Sequence, residues 1–415
     1  MVVPASWELT RLGTRFNERR SKVSDIDYPA LSVTKKGVLP QLDNAAKTKD
    51  GDNRKLVKEG DFVINSRSDR KGSSGVSDRD GSVSLINIVL KPKGIHPKFS
   101  EHLLKSHAFI EEYYRVGRGI VADLWTTRYD EMRTITISVP SLEEQTRIAN
   151  FLDKKTALID EAISIKEKQI NLLKEHKQII IQQAVTQGLD PNVPMKDSGV
   201  DWIGDIPEHW EVVPLKRLAV LSPSVKVSNR KSKELVTFLA MEKVSTDGFI
   251  DQDTLMPICD VSQGFTVFNR GDVIVAKITP CFENGKSAWL NNLQTEFGYG
   301  STEFHVLRCG QRIIGSFLYL IVSSPLFLNA GEAMMTGSAG QKRVPSSFIQ
   351  NFPTAIPGVA EQEKIVSKVK ELFSQIDVVV ASTVNQIEKL KEYKTTLINS
   401  AVTGKIKITP EMVEQ

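Results

Sequence analysis

Cysteine is scarce in this 415-residue chain: Cys259, Cys281 and Cys309 are scattered and never form a C-x-x-C pair. That pattern argues against a disulfide framework or a zinc site and fits reduced thiols in a cytoplasmic compartment. Long apolar runs are missing too, since none approaches the roughly 18 to 20 residues of a membrane span. The opening "MVVPASWELTRL" has neither a basic n-region nor an apolar h-region, so no signal peptide is expected.

Catalytic signatures are equally absent. "NGKS" (284–287) resembles a phosphate loop, but Pro280 stands where the glycine of that pattern is needed to form the anion nest. "GYGSTE" (298–303) ends on Glu303 where a dinucleotide loop requires glycine. No Asn-Pro-Pro-Tyr-type tetrapeptide is present, as an amino-methyltransferase would need. Glu175-x-Lys177 and Glu392-x-Lys394 resemble the tail of a nuclease motif, yet no acidic strand precedes them, and they read as solvated helix faces. His102 and His107 are five apart, wrong for two ligands on one helical face. The expectation is a protein with no catalytic residue, cofactor or metal ligand of its own.

What charge there is sits at one end. Net charge is +4, but residues 1–140 hold 24 Lys+Arg against 18 Asp+Glu, while residues 191–357 hold 15 against 16. A basic first module suits a polyanionic partner.

The chain also repeats itself. Residues 144–186 align with 361–403 without a gap at a constant offset of 217, with 15 of 43 positions identical. An internal duplication follows. Neither copy contains Pro or Gly until Gly188 and Gly404, which serve as C-terminal stops. Leu152, Ile159, Ile163, Ile170, Leu173, Ile180 and Ala184 form a heptad-compatible stripe, and Val369, Ile376, Val380, Ile387, Leu390, Leu397 and Ala401 repeat it. Helices of this length extend about 65 Å at 1.5 Å per residue, and neither can bury its stripe alone. Packing of each on its own globular domain is the simpler alternative, but globular helices average three to four turns. The duplication extends faintly outward. "SWELTRLG" from Ser6 echoes "HWEVVPLK" from His209, and "VKEGDFVINS" (57–66) matches "FNRGDVIVAK" (268–277). The expected order is globular module, helix, globular module, helix, with boundaries at 1–140, 141–188, 189–357 and 358–415. Two similar halves imply a pseudo-twofold relation, as in an isologous dimer, with the helices antiparallel.

Strand-like runs "SLINIVL", "DVIVAKI", "FHVLRC" and "TITISVP" alternate with the helix candidates "FSEHLLKSHAFIEEYY" and "RIIGSFLYLIVSSPLFLNAG", giving an α+β class. The layout, "IPEHWE", the "GDV" strand, "ITPCFENGKSAW", "GSAGQKRVP" and the "P-x-x-EQ" helix starts resemble the specificity subunit of type I restriction–modification systems over essentially the whole chain. The first half departs from the pattern by carrying only "VPASWE" where the second has "VDWIGDIPEHWE". The resemblance implies two target-recognition domains, spaced by an antiparallel coiled coil that docks two methyltransferase subunits, with translocating endonuclease subunits joining for restriction. S-adenosylmethionine and the methylation of adenine N6 would belong to the methyltransferase subunits.

The loops suited to double-stranded DNA follow. "NSRSDRKGSSGVSDRDGS" (65–82) offers Asn65, Arg67, Arg70 and Lys71, and "RVGRGIVADLWTTR" (115–128) offers Arg115 and Arg118, with Trp125 a candidate for the core. In the second module "KITPCFENGKSAW" offers Lys277, Thr279, Asn284 and Lys286, and "TGSAGQKRVP" offers Ser338, Gln341, Lys342 and Arg343. Arg can bridge guanine O6 and N7, Gln or Asn can read adenine, and Lys suits phosphate. The competing readings are a coiled-coil scaffold whose ends bind proteins, an enzyme sufficient in itself, and exposed loops with no ligand.

Overall fold

A computed structural model describes residues 3–41, 51–67, 71–119, 125–225, 230–338 and 340–414. The chain divides into two compact units, Met1–Glu167 with Thr383–Gln415 and Lys168–Ser382. Each unit therefore contains one globular module and part of both long helices.

The first module is built from β1 (Glu8–Arg11), β2 (Phe16–Glu18), β3 (Phe62–Asn65), β4 (Ser74–Val76), β5 (Asn87–Pro92), α1 (Pro97–Leu104), α2 (His107–Arg115) and β6 (Thr136–Val139). Its main sheet runs β2-β5-β3-β4, antiparallel throughout. All four residues of β3 are buried, and the apolar run Phe62–Ile64 replaces the alternation of a half-exposed strand. β1 pairs with β6, which brings the start and end of the module together. A three-stranded sheet of Lys22–Val23, Arg54–Val57 and Gly81–Val83 and a hairpin of Leu31–Thr34 with Gly37–Pro40 complete it. The stretch read as one helix candidate is two. Ser106 breaks it by accepting the Phe109 amide on its hydroxyl at 3.2 Å, an N-cap that starts α2 afresh.

The 45-residue α3 (Leu142–Thr186) follows. The second module contains β7 (Glu211–Pro214), β8 (Ala219–Leu221), β9 (Val273–Ala276), β10 (Ser287–Trp289), β11 (Phe304–Cys309), α4 (Gly315–Val322), α5 (Pro325–Ala333) and β12 (Pro353–Ile356). The 44-residue α6 (Val359–Val402) then closes the pattern. The sheet order β8-β11-β9-β10 and the β7–β12 pair reproduce the first module strand for strand. Ser324 caps α5 through the Phe327 amide at 3.3 Å, as Ser106 caps α2. The modules part company beside this shared frame. The second adds a four-stranded sheet in which Leu235–Leu239 pairs parallel with Phe297–Gly300.

Both modules enter β3 or β9 through the same turn. Gly60 and Gly271 adopt φ of +83° and +90°, left-handed values that glycine tolerates without strain. The carboxylates that follow accept the Lys58 amide at 2.9 Å and the Asn269 amide at 2.8 Å. Each is also paired with arginine, but from a different place in the fold: Asp61 with Arg19, just after β2, at 2.6 Å and Asp272 with Arg308, in β11, at 2.7 Å.

The long helices run antiparallel. Asp160 meets Lys394 at 2.6 Å in the first unit, and Lys177 meets Asp377 at 2.5 Å in the second. The 217-residue offset maps Asp160 onto Asp377 and Lys177 onto Lys394, so this is one ion pair written twice. The apolar stripe is the buried one. Leu152, Ile159, Ile163, Ile180 and Ala184 are buried, as are Val369, Ile376, Ile387, Leu397 and Ala401, while Ile170, Leu173, Val380 and Leu390 are half-buried.

One identity of the repeat, Gln145 with Gln362, explains how the helices start. Gln145 is buried; its Oε1 accepts the His96 amide at 2.7 Å and its Nε2 donates to the Pro140 carbonyl at 2.8 Å. Gln362 does the same with the Ile314 amide at 3.0 Å and the Pro357 carbonyl at 3.0 Å. Each glutamine thus fastens the helix start to its own module. At the far ends Gly404 lies against Pro4 and Trp7, and Gly188 against Trp210, so the end of each helix supports the first residues of a module. The two tryptophans differ in one bond. Trp210 donates its indole N–H to Glu361 at 3.0 Å, whereas the buried Trp7 indole nitrogen finds no acceptor among the described residues.

Among the described residues no helix is long and apolar enough to cross a membrane.

Candidate nucleic-acid interface

The two loops nominated in each module are joined by matching hydrogen bonds. In the first module Thr126 exchanges backbone bonds with Arg118, each at 3.0 Å, and forms a second bridge with Arg67. In the second, Arg343 exchanges bonds with Thr336 at 3.0 and 2.8 Å and bridges to Ile278. The next residue repeats the pattern: Thr127 donates to the Ser66 carbonyl at 3.1 Å and Val344 to the Lys277 carbonyl at 2.8 Å. The loop after β3 or β9 is therefore tied to the loop after α2 or α5 at equivalent positions.

The structure gathers some candidate residues and separates others. Arg67 and Arg118 meet at Thr126, and Arg118 is 84% exposed with Glu131 at 3.5 Å. Lys71 pairs with Glu111 at 2.6 Å and lies over the Tyr114 ring, while Arg115 pairs with Glu112 on its own helix. Asn65 is buried and its side-chain carbonyl accepts the Arg67 amide at 3.1 Å, which shapes the loop from within. Arg70 lies outside the described residues. Trp125 is half-buried and donates to the Tyr114 carbonyl at 3.0 Å.

In the second module Thr279 and Lys342 are joined directly. The Thr279 amide donates to the Lys342 carbonyl at 3.0 Å, and the Lys342 amide donates to the Thr279 hydroxyl at 3.1 Å. Ser338 and Gln341 stand exposed at the tip of the same loop, closed by a Gln341 amide bond to the Ser338 carbonyl at 3.0 Å. Lys277 lies at its base, donating its amide to the Glu303 carbonyl at 2.9 Å. Asn284 and Lys286 point elsewhere: Lys286 donates to the Met241 carbonyl at 2.9 Å, and Asn284 lines a cleft of about 1020 Å³ beside Lys177 and Phe373.

Three features escaped sequence reasoning. Glu303 receives Arg343 at 2.8 Å, and that hydrogen bond holds its carboxyl below the usual range. His305 is buried against the Val344 carbonyl at 3.0 Å, and burial lowers its pKa. In the first module Arg20, Lys22, Lys55, Arg67 and Arg128 line a cleft of about 620 Å³. Arg20, Lys22 and Lys55 were not nominated because they are far apart in sequence, Lys22 and Lys55 on two strands and Arg20 in the link before the first of these, outside any loop of basic character. Among the described residues no group of three or more His, Cys, Asp or Glu is placed to hold a metal ion.

Residues 11–175 match the family described as type I restriction modification DNA specificity domain. The specificity subunit of the type I restriction enzyme EcoAI of Escherichia coli is 38% identical over 199 residues, 47% of this chain and 33% of that protein. The chain thus spans about a third of that relative's length. The MjaVIII specificity subunit of Methanocaldococcus jannaschii is 24% identical over 98% of this chain and 94% of its own. Among solved structures, the HsdS subunit of Thermoanaerobacter tengcongensis covers 98% of this chain and 99% of its own with a TM-score of 0.54 at 16% identity. A chain from work on complex assembly and conformational transition of the type I R-M system reaches a TM-score of 0.72 at 15% identity, over 98% of this chain and 100% of its own. The first half of the chain thus matches the specificity domain, and the chain as a whole is similar over nearly its full length to a type I restriction enzyme specificity subunit.

Proposed function

We propose that this protein is a non-catalytic DNA-recognition subunit in which each module reads one half of a bipartite duplex site. The observation that carries the reading is the repeated loop–loop bridge, at Thr126 in one module and Arg343 in the other, which sets exposed Arg, Lys and Gln side chains on a rigid β frame. Arg67 and Arg118 supply guanine or phosphate contacts in the first module. Gln341 suits adenine beside the cations Lys342 and Arg343 in the second, with Lys277, Thr279 and Ser338 supporting the loop or reaching phosphate. Asn65, Asn284 and Lys286 act from beneath or beside this surface. Lys71 and Arg115, each held by a glutamate, contribute at the rim.

The helices set the spacer and dock two methyltransferase subunits, which bring S-adenosylmethionine; restriction needs further ATP-driven endonuclease subunits. An exposed apolar series on α3, Leu158, Ile165, Leu172 and Ile179, supports docking by a partner helix. At the matching positions α6 carries Gln375, Ser382, Lys389 and Thr396, so the two docking surfaces are unequal.

The test is duplex-DNA binding by the full chain against salt. With several phosphate contacts, log affinity falls steeply with log salt, by about 0.9 per contact. A flat dependence favours the scaffold reading, and cleavage or methyl transfer by the purified chain with Mg²⁺ and S-adenosylmethionine refutes the non-catalytic one.

A further inference from the structure

The turn between Gly81–Val83 and β5 exposes two large apolar side chains, Leu85 at 42% and Ile86 at 39%. They line the same cleft as Arg20, Lys22, Lys55, Arg67 and Arg128. The turn is held rigid. Asn87 donates its side-chain amide to the Ser84 carbonyl at 3.2 Å and hydroxyl at 3.1 Å, and the Ile86 carbonyl accepts the Ser66 amide at 3.3 Å, next to Arg67.

Charge around the turn is strongly one-sided. The cleft's acids are Glu18 and Asp130, and Glu18 is already held by Arg20 at 2.6 Å and Lys55 at 3.2 Å. The side chains of Lys22, Arg67 and Arg128 make no ion pair among the described residues, although the Arg128 amide donates to Glu131 at 3.2 Å. Two apolar side chains among five cations, three of them without an ion pair among the described residues, make too small a patch for a protein interface, and they complement a polyanion that exposes isolated apolar groups. Duplex DNA meets that description, because the thymine 5-methyl is the apolar group displayed in its major groove.

The second module makes the contrast explicit. Its equivalent turn places Thr302 and Glu303 where the first has Leu85 and Ile86. The alignment is structural: the Asn87 and Phe304 amides bond to the Ser84 and Ser301 carbonyls, and the Ser66 and Lys277 amides to the Ile86 and Glu303 carbonyls. Glu303 pairs with Arg343, whereas the first module exposes Leu85 and Ile86 and leaves Lys22, Arg67 and Arg128 without an ion pair among the described residues.

We infer that the Leu85–Ile86 turn is a specificity-determining contact of the first module, reading thymine through its methyl group while Lys22, Arg67 and Arg128 grip the flanking phosphates. This rests on the DNA-recognition reading above.

The test uses the full chain and a duplex enriched by it from a randomised pool, in which thymines are replaced singly by deoxyuracil. Wild type loses about threefold to fivefold in affinity at one or two positions, the worth of a buried methyl. L85S/I86S binds the thymine and deoxyuracil duplexes equally, and L85A/I86A gives the same result should the polar variant be poorly folded. A wild type indifferent to every such replacement, or a variant that keeps the preference, overturns the inference. Failure of the underlying reading has a different signature. K22A/R67A/R128A should flatten the salt slope by about 3. If that slope is unchanged, DNA recognition by this module is wrong; if it flattens while thymine preference ignores Leu85 and Ile86, only the turn is wrong.

Discussion

The two modules share a sheet order, a helix pair and a loop–loop bridge, yet the turn preceding β5 and β11 is apolar and open in one and acidic in the other. Leu85 and Ile86 face five basic residues, while Glu303 spends its charge on Arg343. The backbone hydrogen bonds are the same in both, so the frame tolerates either chemistry. A turn that makes its bonds through the main chain leaves its side chains free to vary, which lets a duplicated module acquire a second specificity.

The comparison can be strained at four places, beginning with the largest effect. Replacing Trp210 by alanine should cost about 3–5 kcal/mol in urea unfolding, from loss of a fully buried aromatic. The sharper contrast is with phenylalanine. Trp210→Phe also removes the bond to Glu361, while Trp7→Phe removes a nitrogen that has no partner among the described residues. The second-module variant should therefore be the worse by about 1–3 kcal/mol.

Next come the turn carboxylates. Asp272→Ala leaves Arg308 without its carboxylate, and Asp61→Ala does the same to Arg19, each for about 2–4 kcal/mol. Both carboxylates are about 2% exposed, so equal losses are expected although the arginines come from different places in the fold. A loss confined to one module would show that the shared turn is not equally stressed.

Acid should divide the modules. Burial lowers the His305 pKa, so the folded second module resists taking up a proton that the unfolded chain accepts readily. Its stability contribution is complete above the ordinary histidine range and is lost as pH falls below it. The equivalent position in β5 is Ile88, which cannot titrate. Hydrogen exchange at pH 7.5 and 5.5 should loosen the second module's loop–loop bridge more than the first's, and His305→Ile should abolish the difference.

The smallest effect belongs to the helices. Reversing the Asp160–Lys394 pair, or its repeat Lys177–Asp377, should change stability by no more than about 1 kcal/mol, because both pairs are solvent-exposed and screened. Much larger losses would mean that the ion pairs, and not the apolar stripe, hold the helices together.

Much of this was legible in the residues. Heptad spacing named the buried stripe, Gly188 and Gly404 marked the stops, and the Gly-Asp pairs identified equivalent strands. The glutamines Gln145 and Gln362 stood out as identities without a visible purpose, since their partners are backbone groups 49 and 48 residues away in sequence. Asn65 and Lys286 look like solvent-facing loop residues in sequence, and only their backbone partners turn them inward. The run "KSHAF" gave no warning of a break, because a serine cap competes with helix continuation and tertiary packing decides between them.

The linear pattern alone determined the duplication, the two long helices and their antiparallel pairing, because periodicity and a constant offset are properties of sequence. Tertiary structure decided which charges stay free. A cation's availability depends on whether an acid from a distant strand reaches it, as Glu303 reaches Arg343 and none of the described acids reaches Lys22, and strand register alone sets that distance.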